Sequence, residues 1–267
     1  METSVPETFT VRTYFVRGRN ALVARADFSG LYVDYYLHLA QHGIRPAPAH
    51  DGMLKEALAA LTLHCASRPV NESCAWTINF QDPLLNLFVA GDNAHHAIVG
   101  QLFTENIKTA EANLFLSDTL RPGHQPRRSA VQFHGSDPFR AVETYYRQSE
   151  QRPARYFCHN EEDYVMVSAQ PDCDLAWLDA LDDAAIRTLD KTETLSLLEQ
   201  RPYRWQCGCN ERRILEILEP HMRQDASGLF ENEDSLRIHC PRCGARYHVT
   251  RETMEAHVAA RDRARVR

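Results

Sequence analysis

The sequence predicts an α+β fold: an N-terminal mixed α/β sheet domain, a helical linker and a small cysteine-rich C-terminal domain. Three observations predict it. Strand-like runs follow one another with few helices between them, which favours an antiparallel or mixed sheet over a doubly wound one. The texture changes at Pro171, where aspartates begin to punctuate short helical pieces. Finally, four of the eight cysteines fall in one short C-terminal stretch.

The elements follow in order. Phe9 to Val16 and Ala21 to Ala26 are β-rich and joined by Arg17-Gly18-Arg19-Asn20, which reads as a hairpin turn. A helix is predicted over Asp34 to Ala40, ending at His42-Gly43, and a second over Met53 to Cys65 with Leu54, Leu58, Leu61 and Cys65 on one face. Strands are predicted over Cys74 to Phe80, Leu84 to Ala90, Ala97 to Phe103, Ala112 to Leu116 and Ser129 to His134. Ser136-Asp137-Pro138 opens a helix to about Gln148, with a capping side chain and a proline whose missing N–H costs nothing. Strands over Arg155 to Cys158 and Tyr164 to Ala169 complete a domain spanning 1–170. The linker, 171–202, offers helical pieces at Asp174 to Leu181 and Thr192 to Leu198. Its many Leu and Trp residues sit in segments too short to stand alone, so it must dock on the first domain.

In the last domain, 203–267, the cysteines are spaced Cys207-x-Cys209, thirty residues, then Cys240-x-x-Cys243-Gly244. Four thiolates suit a tetrahedral, redox-inert ion, so one Zn2+ per chain on Cys207, Cys209, Cys240 and Cys243 is the expected cofactor. Glu211 to Met222 is predicted as a helix with Ile214, Ile217 and Leu218 inward. Leu236 to His239 and Ala245 to Val249 are predicted as a hairpin, and Thr250 as the cap of a closing helix. A metal is a plausible staple for a domain of this size. Zinc ribbons commonly use Cys-x-x-Cys twice, and Cys-x-Cys departs from that pattern. Thiolates crowded across one glycine are nucleophilic and oxidisable once the metal is gone.

Composition limits the function classes. The chain has 267 residues, 43% hydrophobic and 25% charged, with a net charge of −6. No run approaches 18 apolar residues, so no transmembrane helix and no membrane partner is expected. The opening Met1 to Pro6 lacks a secretory layout, and a cytoplasmic location follows as the expectation. The last domain carries 12 Arg against 10 acidic residues, and four thiolates plus zinc bring it near neutral, a poor grip for nucleic acid. A zinc-ribbon nucleic-acid-binding protein is therefore the alternative reading, its best support being Arg261, Arg263, Arg265 and Arg267. A catalytic Cys-x-x-Cys oxidoreductase lacks the βαβ context.

The cysteine arrangement, with Tyr247 after Cys243, resembles that of the heat shock protein 33 family of redox-regulated holdase chaperones. Val16-Arg17-Gly18, His42-Gly43 and Asp82-Pro83-Leu84-Leu85-Asn86-Leu87 are similar to its N-terminal landmarks. Ser149-Glu150-Gln151, followed by Arg152-Pro153, is similar to its Ser-Glu-Gln-x-Pro motif, a structural motif at a domain junction. The resemblance implies a chaperone without catalytic residues, inactive when reduced and zinc-loaded. Oxidation would join the four cysteines as two disulfides, one within each pair, and zinc would leave. The small domain would unfold, the linker would lift, and apolar surface would meet unfolding client proteins, with a homodimer as a further implied state of the oxidised form. The chain departs from the family in its short linker and in Asn210-Glu211-Arg212-Arg213 after the first pair. So short a linker should leave the zinc domain as the main restraint, with peroxide at room temperature sufficient for activation.

The remaining cysteines and histidines read more simply. Cys65, Cys74 and Cys158 are expected as buried small hydrophobes, and Cys173 as an exposed thiol beside carboxylates that oppose reactivity. His95 and His96 read as turn residues. His221, His239 and His248 are spare imidazoles rather than ligands, and Glu150 and Arg155 read as structural polar contacts.

Overall fold

The computed structural model describes residues 9–231 and 233–265. The opening Met1 to Pro6, Arg267 and the side chain of Arg265 lie outside the described residues. In chain order the elements are β1 (Phe9–Val16), β2 (Ala21–Asp27), α1 (Ser29–Gln41), α2 (Pro48–Ala66), β3 (Ser73–Gln81), β4 (Leu84–Asp92) and β5 (Ala97–Phe103). β6 (Asn113–Leu120), β7 (Arg127–Phe133), α3 (Pro138–Gln148), β8 (Ala154–Asn160) and β9 (Asp163–Ala169) follow. Next come three short helices, α4 (Leu175–Ala180), α5 (Asp183–Arg187) and α6 (Leu189–Thr192), and then β10 (Leu195–Trp205). The chain ends with α7 (Glu211–Gln224), α8 (Ala226–Phe230), β11 (Ser235–His239), β12 (Arg246–Thr250) and α9 (Arg251–Arg265).

A ten-stranded sheet, ordered β7-β6-β3-β4-β5-β10-β1-β2-β9-β8, forms the body. Neighbouring strands are antiparallel except β10 and β5, which run parallel and share only the pairs Arg204↔Ala97 and Trp205↔Ile98. Helices α1, α2 and α3 cover one face. Every second residue of β3 (Cys74, Trp76, Ile78, Phe80) points into a core that includes Leu58 and Leu61 of α2 and Tyr145 and Tyr146 of α3. The other face is covered twice. Over β1, β2, β9 and β8, the short helices bury Leu178, Leu181, Ile186 and Leu189 against Val16, Ala21, Val23, Phe157, Val165 and Val167. Because β2 and β9 are covered on both faces, Tyr164 to Ala169 is buried continuously rather than at alternate positions, Ser168 being its one polar residue.

The α+β reading stands, and the linker helices dock as their apolar content requires. Asp174 and Asp182 cap two of them, accepting hydrogen bonds from the amides of Trp177 (3.0 Å) and Ala185 (2.8 Å). Thr192 to Leu198, expected as a helical piece, is instead mostly strand. Leu195 and Leu198 mimic a helical stripe, but Leu195 pairs with Val16 and Leu197 with Tyr14, partners remote in sequence. Tyr203, also on β10, lies in the main core at 1% exposure. α1 starts at Ser29, not Asp34, because the Asp27 carboxylate accepts from the Ser29 amide (2.9 Å). Similarly, α2 starts at Pro48 rather than Met53, with proline in its first turn.

Candidate metal centre

β10 runs directly into Cys207 and Cys209, so the first cysteine pair hangs from the centre of the large sheet. Gly208 between them adopts φ +75°, a left-handed conformation that favours glycine and turns both thiols to one side. Asn210 then caps α7, its side-chain oxygen accepting from the Arg213 amide (2.9 Å). The second pair occupies the turn between β11 and β12. There the Gly244 amide donates to the Cys240 carbonyl (2.9 Å) and the Cys240 amide to the Ala245 carbonyl (2.8 Å). Gly244 sits at φ +72°, where an added Cβ would also come within 3.1 Å of Ile44.

These turns bring all four sulfur atoms within 4.8 Å of one another. Cys207 and Cys240 approach to 3.6 Å and Cys209 and Cys243 to 3.4 Å. Four sulfurs at tetrahedral corners about 2.3 Å from a metal would stand roughly 3.8 Å apart, so the donor set fits a four-coordinate ion. The amides of Cys209 and Ala245 donate to the sulfurs of Cys207 and Cys243. The Tyr247 hydroxyl donates to the Cys209 sulfur (3.1 Å). Such donors stabilise thiolate and fix sulfur orientation.

The electrostatics agree. The Cys207 thiol is pushed down to about 5, first by the hydrogen bond from Cys243, against the cost of burial. The same bond pushes Cys243 up, since its proton serves the neighbouring thiolate, and burial pushes Cys209 up to about 11. Hydrogen bonding among the sulfurs thus favours thiolate at Cys207 over Cys209 and Cys243, and an ion would take the place of the shared protons.

The cysteines also form a contact surface. Cys240, Cys243 and Ala245 are buried against Ala90 and Val99 of the sheet, with Ala75, Phe88, Trp205 and Tyr247 around them. The Cys243 carbonyl lies 2.8 Å from His38 Nε2, and the Arg246 amide donates to His42 Nδ1 (3.2 Å). A cleft of about 770 Å3, bordered by Ile44, Phe103, Cys240 and Arg246, opens beside the cluster. Behind it lies a small second core of Leu215, Phe230, Val249 and Met254.

The predicted helix, hairpin and Thr250 cap of this unit are present, with Thr250 Oγ1 accepting from the Thr253 amide (3.1 Å). Ile217, expected inward, is 60% exposed: it faces away from the stripe of Ile214, Leu215, Leu218 and Met222. Cys158, expected buried, is exposed at the bulged end of the edge strand β8. Cys65 and Cys74 are buried, and Cys173 is half-buried. Among the described residues the four cysteines are brought together without His221, His239 or His248, and His248 instead contacts Ser235 (2.9 Å). His95 contacts Asp92 (2.8 Å) in its turn.

Ser149, Glu150 and Gln151 lie apart from the cluster, at the end of α3. Ser149 is the C-cap and Gln151 takes φ +54°. The nearly buried Glu150 carboxylate accepts from the Tyr145 hydroxyl (2.8 Å) and pairs with Arg68 (3.2 Å) and Arg127. The Arg68 carbonyl in turn accepts from the Arg201 guanidinium of β10 (2.9 Å), and Arg155 donates to the Asp179 carbonyl at the end of α4 (2.9 Å). The sequence offered no signal that Arg201 and Asn93 both serve the end of α2, because the carbonyls they bind there (Cys65, Arg68 and Pro69) lie far from them along the chain.

The family model described as Hsp33 protein matches residues 169–250. The 33 kDa chaperonin of Photorhabdus laumondii is 21% identical over 272 residues, covering 90% of each chain. That of Edwardsiella ictaluri is 24% identical, covering 88% of this chain and 90% of its own. The chain matches a third, from Hahella chejuensis, at 29% identity over only 36% of that protein's length. The crystal structure of the 33 kDa chaperonin of Thermotoga maritima shares the fold, with a TM-score of 0.68 over 96% of this chain and 99% of its own, at 12% identity. The match to the Hsp33 family model thus covers the linker and most of the cysteine unit, and the fold is shared almost end to end with that of a 33 kDa chaperonin.

Proposed function

We propose that this protein is a redox-regulated holdase chaperone that binds unfolding proteins and keeps them from aggregating under oxidative stress. Its cofactor in this reading is one zinc ion held by Cys207, Cys209, Cys240 and Cys243. The observation that carries the proposal is that the four cysteines form both the donor set and the surface packed on Ala75, Phe88, Ala90 and Val99. A bound zinc ion would neutralise the thiolates and hold the two pairs together; it has no redox chemistry of its own. Electrons therefore come from sulfur. Each disulfide forms as one peroxide takes two electrons from a pair of thiolates, picks up two protons and leaves as two water molecules. With the cysteines drawn into disulfides, no metal would join Cys207 and Cys209 to the β11–β12 turn, and the second core is too small to hold the unit in place alone. The apolar patch on β3–β5 then meets solvent and client.

The relatives' name, 33 kDa chaperonin, supports the chaperone reading, and no catalytic residue is assigned. Among the described residues no helix is long and apolar enough to cross a membrane. A cytoplasmic location and a homodimer in the oxidised form belong to the same proposal. The nucleic-acid alternative weakens, because Arg261 turns inward to the Glu219 carboxylate (3.3 Å).

The test is aggregation of a denatured client, followed with and without peroxide while zinc release is measured in parallel. Suppression should rise with zinc release. Equal suppression by the reduced protein, or none after full release, would overturn the proposal.

A further inference from the structure

The cleft beside the cysteine cluster is walled by two parts of the molecule. Residues between 44 and 54, from the α1–α2 connection and the start of α2, and residues 100–106, at the end of β5, form the sheet domain's side. Residues between 239 and 246, the β11–β12 turn, form the facing side. At about 770 Å3 the cleft falls in the range that holds small organic ligands, roughly 300–1,000 Å3.

Three features of its lining ask for a ligand. First, α2 is a helix of 19 residues whose start borders the cleft at Ala47 and His50, and its N-cap, Ala47, offers no side-chain acceptor. Asp51, the acidic residue of that first turn, is engaged elsewhere, accepting from the hydroxyls of Tyr35 (2.7 Å) and Tyr36 (2.7 Å). A helix start in this state attracts an anion. Second, Arg45 and Arg246 both line the cleft, and neither forms an ion pair among the described residues. Arg246 is steadied there by donating to the Gly43 carbonyl (3.2 Å). Third, Gln101 Oε1, buried beside Gly244, has no hydrogen-bond donor, a costly state for a buried acceptor. Ile44, Leu54 and Phe103 set apolar surface among these polar groups.

We propose that this cleft binds a small apolar monoanion that carries an N–H or O–H donor. The charge lies between the start of α2, Arg45 and Arg246, and the donor meets Gln101 Oε1. N-acylated aromatic amino acids have this chemistry: one carboxylate, an amide N–H and a ring. Among the described residues that line the cleft, Glu105 is the one carboxylate, and it opposes the arginines enough to favour one negative charge over two. Because the walls belong to the sheet domain and to the cysteine unit, the ligand is held only while the unit is docked, and it stabilises that docking by mass action. That the unit ever leaves rests on the chaperone reading; the site itself does not.

Calorimetric titration of N-acetyltryptophan into the full-length, reduced, metal-loaded protein tests this. Binding should be one to one, with a Kd on the order of 0.1 mM for a ligand of this size. N-acetyltryptophanamide, which lacks the charge, should bind at least about tenfold more weakly. Arg45→Ala and Gln101→Leu should each weaken binding roughly threefold to tenfold, and Glu105→Gln should strengthen it about twofold. Urea unfolding and metal content of Arg45→Ala and Glu105→Gln should match the parent. At saturating ligand, amides of 235–250 should exchange more slowly with solvent. Absence of saturable binding, equal binding of the amide, or binding indifferent to both Arg45→Ala and Gln101→Leu would overturn the site. Tighter binding of a longer peptide ending in the same residue would overturn the small-molecule assignment. The expected binding, retained undiminished after peroxide has released all the metal, would instead count against departure of the unit and so against the chaperone reading alone.

Discussion

Leu178→Ala separates the flap formed by α4, α5 and α6 from everything else the chain does. Leu178 is fully buried, packed with Leu181, Ile186 and Leu189 over the β1-β2-β9-β8 face. Truncating a buried leucine costs about 2–5 kcal/mol, depending on how far the site collapses. The low end applies here, because half-buried Trp177 and Ala185 border the site and can settle into it. The flap is three short helices with one apolar face, so the loss falls on its local opening equilibrium rather than on global unfolding. A loss of about 2 kcal/mol raises the open fraction roughly thirtyfold. In the reduced, metal-loaded protein a hydrophobic dye should then bind more strongly, at Val16, Val23, Phe157, Val165 and Val167, while metal content stays at one ion per chain. Should dye binding and amide hydrogen exchange over 175–192 match the parent while urea unfolding shows the full loss, the flap is an inseparable part of the core and the reasoning fails.

Three further outcomes follow from the same contacts. Cys207→Ser and Cys243→Ser should each lower metal content below one ion per chain, read by elemental analysis; full occupancy in both would remove the four-cysteine assignment. Glu150→Ala strands Arg68 and the Tyr145 hydroxyl in a nearly buried site, so urea unfolding should show a loss of about 3–5 kcal/mol. Burial pushes the Glu150 carboxyl up, but the Tyr145 hydroxyl and the two arginines outweigh it and hold the group below its ordinary value. Its contribution is therefore complete above about pH 4.3 and disappears as pH falls through the lower folded value, and Glu150→Ala should lack that acid-dependent step. Ile217→Glu, at an exposed position, should change unfolding free energy by no more than about 0.5 kcal/mol. A loss near 2 kcal/mol would place Ile217 in a contact.

The sequence made legible whatever is set by local chemistry. The β1–β2 turn, the Asp137 cap of α3, the Thr250 cap of α9 and the cysteine turns are all written in adjacent residues, and each appears where its signal lies. The clustering of Cys207, Cys209, Cys240 and Cys243 was readable because a shared site constrains the spacing of its donors. β10 was not readable as a strand from Leu195, since its short leucine run fits either period and only pairing with β1 decides between them. Ile217 was misplaced because helix phase cannot be fixed without knowing which stripe the small core accepts. Arg201 escaped notice for a related reason: arginine is a common surface residue, and the carbonyls of Cys65 and Arg68 that it binds lie far along the chain.

The place of β10 in the sheet has a consequence for how the chain is made. β1 is made before the other described strands, yet one of its edges pairs with residues 195–203, which emerge nearly two hundred residues later. Until then β1 and β5 are both open edges, and the two half-sheets have no strand between them. Unpaired edges invite pairing with other chains, and contacts so distant in sequence form slowly. A nascent chain stalled before Leu195 would hold two separate, unclosed half-sheets, so during its own synthesis this protein exposes the kind of surface that it is proposed to shield in others.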